Sequence, residues 1–408
     1  RGIFMEPKNE SLTNKKLTEV ETNEVKKPTK KDPKEKKPTE KTKEQDPKEM
    51  VSGQPQQFLI QLMSGDIDPN MMMDEDDYTA EQIEDLKLSI KEWLGQVPFT
   101  EFRNAIHKDV IGQDNLDLIL ANVYNYLTNV ALGNPVNNNM LMAAPSGCGK
   151  TETYRSLRNY FKTEIPELTI SQVDVSVITE EGIVGAGSSI LVDELMENGT
   201  NGYGIVFMDE FDKKLIPSFA EGANTSAAVQ NQLLTIIEGR EVPFILNGQP
   251  TGYYIDTSNT MFIGLGSFNE SREQKKNAAK NNLGFGARTQ DNDMFDEITR
   301  EDMIKMGASY EMIGRFPLIV NYHKLSEEAV DKIIDKTLET LRLAYQLPIE
   351  LDADMRTQLH EFANGVYGCR MLDSSIRDQV IKQYTAWLIG GCKKKKIVIH
   401  SVTESELV

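Results

Sequence analysis

Four residues carry the side chains best suited to work on a phosphate chain. Lys150 and Thr151 follow a short run, Pro145-Ser146-Gly147-Cys148-Gly149, and Asp209 and Glu210 close the apolar run Gly204–Met208. A lysine at the mouth of a glycine-bearing turn can reach the β and γ phosphates of a nucleotide, and the hydroxyl beside it can ligate Mg²⁺. In such a site Asp209 would hold the shell of the metal, and Glu210 would orient and polarise an attacking water. The plain alternatives are an ordinary Gly-rich turn and a buried strand that happens to end in exposed acids. About 60 residues separate the two segments, and a hydrolase needs both.

These groups require particular elements to position them. Met140–Ala143 is apolar and stops abruptly at the turn, while Tyr154, Leu157, Tyr160 and Phe161 recur at helical spacing after it. The order is therefore strand, loop, helix N-terminus, in which backbone N–H groups point at an anion. The departure from the strict pattern is Ala144 where Gly is usual, which crowds the turn slightly and removes no phosphate-facing amide.

The rest of the chain reads as alternating β and α elements up to residue 324 and mostly helices after it. Strands are expected at Ile170–Val177, Gly204–Met208, Thr260–Leu265, Leu318–Tyr322 and Ile397–His400. Helices are expected at Thr79–Leu94, Phe99–Ile106, Asn115–Leu132, Ile190–Met196, Ala227–Glu238, Thr299–Met306, from Ser326 to about Tyr345, Ala353–Ala363 and Cys369–Leu388. Ser271–Asp293 reads as a polar loop that displays Leu283-Gly284-Phe285. Lys26–Lys48 mixes Lys, Glu and Pro and cannot bury enough apolar surface to offset its ordering entropy, so a disordered tail is expected over residues 1–75. It is not a basic arm for nucleic acid, since residues 1–50 hold 14 Lys and Arg against 11 Asp and Glu.

Across 408 residues the formal charge is −18, which argues against nucleic acid as the main partner. Three cysteines (Cys148, Cys369, Cys392) form no CxxC pair and four histidines are scattered, so neither a disulfide framework nor a zinc site is expected. No apolar run reaches membrane-spanning length and no signal peptide is visible, which leads to the expectation of a soluble intracellular protein.

Seven segments in register now point to a family: Val110–Asp114, Ala144–Thr151, Gly204–Lys213, Gln232–Gly239, Asn282–Ala287, Glu301–Pro317 and Tyr367–Arg370. Together they resemble the AAA+ ATPases of the ClpX family. The resemblance covers residues from about 105 to 400 and implies an α/β fold. A large P-loop AAA+ domain with a parallel sheet would span residues 76–324, and a smaller, mostly helical α+β domain residues 325–408.

What the resemblance implies for residues goes beyond spacing. Ile111 and Gln113 would lie by adenine, with Pro145 to Thr151 around the phosphates. Arg315 matches the arginine finger that reaches a neighbouring subunit's γ-phosphate, and Arg370 the sensor arginine of the small domain. A polar sensor after Thr260–Leu265 would be Ser267 or Asn269, with Ser267 preferred. Ile183-Val184-Gly185 matches the pore loop that grips polypeptide, with Ile183 where an aromatic is usual. Leu283-Gly284-Phe285 matches the peptidase-docking loop. Asp373 stands where a basic residue is often found, and no cysteine precedes Cys148, so the four-cysteine zinc module typical of the family is not expected. The implied cofactors are ATP and Mg²⁺. The implied assembly is a homohexamer that unfolds protein substrates for a ClpP-like peptidase. A protease-independent remodeller of protein complexes is the alternative.

Overall fold

The computed structural model describes residues 75–134, 137–179, 187–220, 223–246, 249–282, 295–363, 365, 368–390 and 396–408. Three helices come first: α1 (Glu75–Gln96), α2 (Phe99–His107) and α3 (Leu116–Leu132). Leu86, Ile90 and Trp93 recur at intervals of four and three on α1, so one stripe of that helix is buried. The Trp93 ring lies 5.5 Å from Phe102 and 5.3 Å from Phe161, both edge-on, which locks the first two helices to the helix after the phosphate loop.

Strand β1 (Met140–Ala143) leads into α4 (Lys150–Glu164), followed by β2 (Thr169–Asp174), the short helix α5 (Asp193–Glu197) and β3 (Gly204–Asp209). A two-residue pair, β4 (Phe219–Ala220) and β5 (Ala223–Asn224), precedes α6 (Thr225–Ile237). The hairpin β6 (Glu241–Leu246) and β7 (Gln249–Asp256) comes before β8 (Thr260–Gly266), α7 (Asn269–Asn282), α8 (Arg300–Met306), α9 (Tyr310–Gly314) and β9 (Leu318–Asn321).

Five of these strands form one parallel sheet in the order β2-β3-β8-β1-β9. Parallel strands are covered on both faces, so they read as continuous apolar runs. The side-chain period of two then divides each run between two cores. Met140 and Met142 face one core while Leu141 and Ala143 face the other; Ile205 and Phe207 are divided in the same way from Val206 and Met208. The first core is filled by α1 to α4 and the second by α5, α6, α8 and α9.

A third apolar cluster draws on α10 (Glu327–Tyr345), β10 (Ile349–Leu351), α11 (Ala353–Ala363), α12 (Cys369–Ile389) and β11 (Ile397–Ile399). There β10 pairs parallel with β11, and β11 antiparallel with β12 (Ser405–Leu407). Ile111 packs on this cluster from the other side of the chain. Beside it, Gly112 has φ +75°, and any Cβ there would collide with Ala329 on α10. Among the described residues no helix is long and apolar enough to cross a membrane.

Most expected elements lie where the sequence puts them, within a few residues. Three expectations need correction. Ile170–Val177 is not one strand: β2 ends at Asp174, whose side chain accepts from Ser176 N and starts a 3-10 turn. Ile190–Met196 is not a single helix but a 3-10 turn (Ser188–Leu191) followed by α5. The polar loop expected from Ser271 is helical as far as Asn282. Its Glu, Gln, Lys and Ala are good helix formers, and Lys275 anchors it through Glu297 O (2.6 Å) and Asp302 (2.6 Å). The hairpin β6–β7 was not expected, because Pro243, Pro250, Gly248 and Gly252 interrupt its strand pattern. Residues 1–74 of the expected tail lie outside the described residues.

Phe262 is fully buried at the centre of the sheet, in the second core. Phe262→Ala should cost about 3–5 kcal/mol through lost burial and the cavity left behind. Denaturant unfolding at constant pH measures it, and a cost near zero would contradict the packing described.

Candidate active site

The C-terminal edges of β1, β3 and β8 are neighbours, and α/β sheets take ligands at that edge. The backbone beyond β1 stays paired for one more residue, Ala144 N donating to Gly266 O at 3.1 Å. The chain then turns through Gly147 (φ +76°) and Gly149 (φ +99°) into α4. No side chain caps that helix, and Thr153 N is the first of its amides paired to the loop, on Gly149 O at 2.9 Å. The N–H groups ahead of it are oriented for an anion. Lys150 folds back on the loop, Nζ donating to Ala144 O (2.5 Å) and Pro145 O (3.1 Å). Burial pulls its pKa down to about 8, against the attraction of Cys148, Asp212 and Asp209.

A cavity of about 380 Å³ opens beside this turn, of a size that suits a nucleotide. Gly147 to Glu152 form one wall, Val110, Ile111, Leu325 and Ile333 an apolar wall, and Cys369 and Arg370 close it from α12. Cys369 N donates to Gly147 O at 3.2 Å. Gly368 ahead of it has φ +57°, and a Cβ there would stand 2.5 Å from Ser146 O, so only glycine allows this approach. Burial pushes both the Cys148 and Cys369 thiols up, that of Cys369 to about 12, so neither is a ready nucleophile at this wall.

Asp209 ends β3 and accepts from Gln172 Nε2 at 2.7 Å and from Glu210 N at 2.9 Å. Glu210 itself adopts φ +57°, a left-handed conformation that costs free energy in a residue with a side chain, and its carboxylate pairs with Lys213. Two residues on, Asp212 is buried and accepts from Ser267 N (3.1 Å), Ser267 Oγ (3.1 Å) and Phe268 N (2.6 Å). The end of β3 is thereby tied to the end of β8.

The residues expected at the site fall into three groups. Ile111, Gly147 to Thr151 and Arg370 line the cavity together. Pro145, Ser146, Asp209, Glu210 and Ser267 do not line it, and the Ser267 hydroxyl is engaged by Asp212. Gln113 does not face the cavity: it is 2% exposed, donating to His323 O (3.0 Å) and Cys148 O (3.4 Å) and accepting from His323 N (3.1 Å). Its role in this fold is to clasp the turn to the exit of β9. Arg315 is not at the chain's own cavity either; its Nη2 donates to Glu238 Oε1 at 2.5 Å, and Arg240 holds the other oxygen of the same carboxylate at 2.5 Å. Ile183, Val184, Gly185, Leu283, Gly284 and Phe285 lie outside the described residues. Sequence reasoning overlooked Asp212 and Arg272. The first was legible in the acidic spacing Asp209-Glu210-Phe211-Asp212; the second carries no local signal.

These residues fit ATP and Mg²⁺ on their own terms. A partly buried lysine bonded to its own loop carbonyls, uncapped helix amides and the oxygen donors Thr151 and Asp209 share one edge of the sheet. Hard oxygen donors suit a magnesium ion.

Comparison with known proteins agrees with this geometry. Residues 136–319 match the family model described as "AAA domain (Cdc48 subfamily)". The ATP-dependent Clp protease ATP-binding subunit ClpX of Treponema denticola is 28% identical over 286 residues, covering 62% of this chain. The match spans 66% of that relative's length, just under two thirds.

The depressed Lys150 pKa gives a pH dependence of definite sign. Phosphate favours the charged lysine, so triphosphate affinity should fall as pH rises through about 8. Without ligand, the unfolded chain still binds this proton between about 8 and the ordinary lysine value of 10.5, so Lys150's contribution to stability should rise across that interval. Titration calorimetry and thermal melts from pH 7 to pH 9.5, with Lys150→Met as the reference lacking the group, check both trends. Identical profiles for the two proteins would exclude Lys150 as the titrating group.

Proposed function

The described structure holds a P-loop AAA+ domain similar to that of ClpX, and from this premise we propose that the chain is an ATP hydrolase working as a homohexameric protein unfoldase in the cytoplasm. The observation that carries the reading is that Lys150, at the uncapped start of α4, and the Asp209–Glu210 pair, at the end of β3, share one edge of the parallel sheet with only β8 between them. In the proposed cycle Lys150 exchanges its two loop carbonyls for oxygens of the β and γ phosphates. Thr151 and Asp209 would hold Mg²⁺, which neutralises charge on those oxygens. Glu210 turns from Lys213 to a water and polarises it. Arg370 reads the nucleotide from α12 in the same subunit.

Arg315 completes the site of the next subunit. A guanidinium is always charged and forks onto phosphate oxygens, so it stabilises the negative charge of the transition state. Its separation from the chain's own cavity supports action in trans. On the same reading, Ile183-Val184-Gly185 grips the polypeptide and Leu283-Gly284-Phe285 docks a ClpP-like peptidase, directly after α7. The second reading, a remodeller that disassembles complexes without a peptidase, is favoured by one residue: Ile183 offers less contact area than an aromatic would.

Glu210→Gln should keep nucleotide affinity and abolish turnover; Arg315→Ala should abolish turnover with the fold intact. Mixed in conditions where subunits exchange, the two variants should regain part of the activity, because one type of interface then has both groups. Phosphate release across mixing ratios reads this out, and mixtures as inactive as either parent would exclude the trans finger.

Phe285→Ala should spare ATP hydrolysis and remove binding to a ClpP-type ring. Several weak loop contacts act together in a ring, and all are weakened at once. Binding at matched subunit concentration distinguishes the two readings. A parent protein that binds no such ring belongs to the remodellers.

A further inference from the structure

Arg272, in the first turn of α7, sits behind the phosphate loop with only 6% of its surface exposed. Its Nη1 donates to Ser267 O, at the end of β8, and its Nε to Asp296 O at 3.3 Å. Its Nη2 is buried and has no hydrogen-bond partner. A charged donor left in that state is costly, and native proteins rarely tolerate one without a reason. The nearby carboxylate does not satisfy it, since Asp212 accepts instead from Ser267 and Phe268.

Position gives the reason. Strand β8 lies between β3, which bears Asp209, and β1, which leads to Lys150. A group held at the end of β8 therefore stands between the acid pair and the loop. Arg272 is close enough to Cys148 and Lys150 to alter the protonation of both. It is also fixed there. Phe268 takes φ +52°, a strained conformation for a bulky side chain, and turns the chain from β8 into α7. One turn after Arg272, Lys275 pins the helix to Glu297 O and Asp302.

We infer that Arg272 is a substrate-binding residue of this site, its free Nη2 donating to an oxygen of the terminal phosphate of a nucleoside triphosphate. The inference rests on the ATP-hydrolase reading and extends it. The apolar cavity wall at Ile111, Leu325 and Ile333 takes the base and Lys150 lines the same cavity, so the last phosphate lies past Lys150, toward the ends of β3 and β8, which with Arg272 stand outside the cavity lining. A diphosphate leaves Nη2 unpartnered. Arg272 thus distinguishes triphosphate from diphosphate within one subunit, and because it also holds Ser267 O and Asp296 O, the same contact reaches the segment that precedes α8.

The test is the ratio of affinities for a slowly hydrolysed ATP analogue and for ADP, measured by calorimetry on the full chain with Mg²⁺ present. Arg272→Gln should weaken the analogue on the order of 10- to 100-fold while ADP changes by no more than roughly twofold. If Arg272→Gln does not fold, as judged by its melting curve, Arg272→Lys keeps the charge but lacks the fork. The lysine variant should then reduce the ratio by at least roughly threefold. An unchanged ratio, whether both affinities fall together or neither moves, overturns the inference and leaves Arg272 as a clasp between two carbonyls. Failure of the parent protein to bind either nucleotide would overturn the ATP-hydrolase reading itself.

Discussion

The structure depends on hydrogen bonding along both sides of β1. This strand is flanked by β8 and β9 through its whole length, and the pairing runs past its formal ends at Ala144 N to Gly266 O and Tyr322 N to Ala143 O. Parallel pairing brings the C-terminal ends of the strands to one edge, so the turn at Lys150 and the ends of β3 and β8 must be neighbours. The burial of four consecutive apolar residues in β1 makes that register expensive to shift. The turn is then held from outside by Gln113 through Cys148 O and by Cys369 through Gly147 O. Its precision is a property of three separate parts of the chain.

Charge is concentrated at that edge. Arg272 is buried and Lys150 partly so, and desolvation draws both the guanidinium and the ammonium pKa down. Asp212 spends its acceptors on backbone and Ser267, Asp209 receives Gln172, and Glu210 is taken up by Lys213. The three carboxylates balance Lys150, Arg272 and Lys213 in number, and what is left open is a donor, the buried Arg272 Nη2, which has no hydrogen-bond partner. Around Arg315 the cations outnumber the carboxylate: Glu238 holds two arginines, and the Arg315 Nε is buried without a partner.

The helical part with the third core meets the site through small surfaces. Gly112 against Ala329, Gly368 against Ser146 and the Lys336 ion pair to Asp109 at 2.8 Å all lie beside the cavity or at its rim. An exposed ion pair adds little stability, while the two glycine contacts admit no side chain. Contents of the cavity and the placement of α12 are therefore linked sterically, through backbone atoms in van der Waals range.

Much was legible beforehand, for local reasons. Met140–Ala143 followed by Gly147, Gly149 and Lys150, or Ile205–Met208 followed by Asp209 and Glu210, states its own structure because apolar length, glycine and charge act within a few residues. At the start of α8 the structure forms a reciprocal box between Thr299 and Asp302, an equally local device. The β6–β7 hairpin and α7 were not legible, since prolines obscured the first and the second has no apolar stripe to mark it. What only the tertiary structure decided concerns partners distant in sequence. Gln113 looked as if it faced the base and instead clasps His323, 210 positions on; Arg315 is aligned by Glu238, 77 positions before it; Arg272 is brought behind the loop by the strand order. Residue type and spacing specify which groups are available for chemistry. Which of them meet, and which donor is left open for a ligand, follows from burial, because only a packed interior removes the water that would otherwise satisfy every one of them.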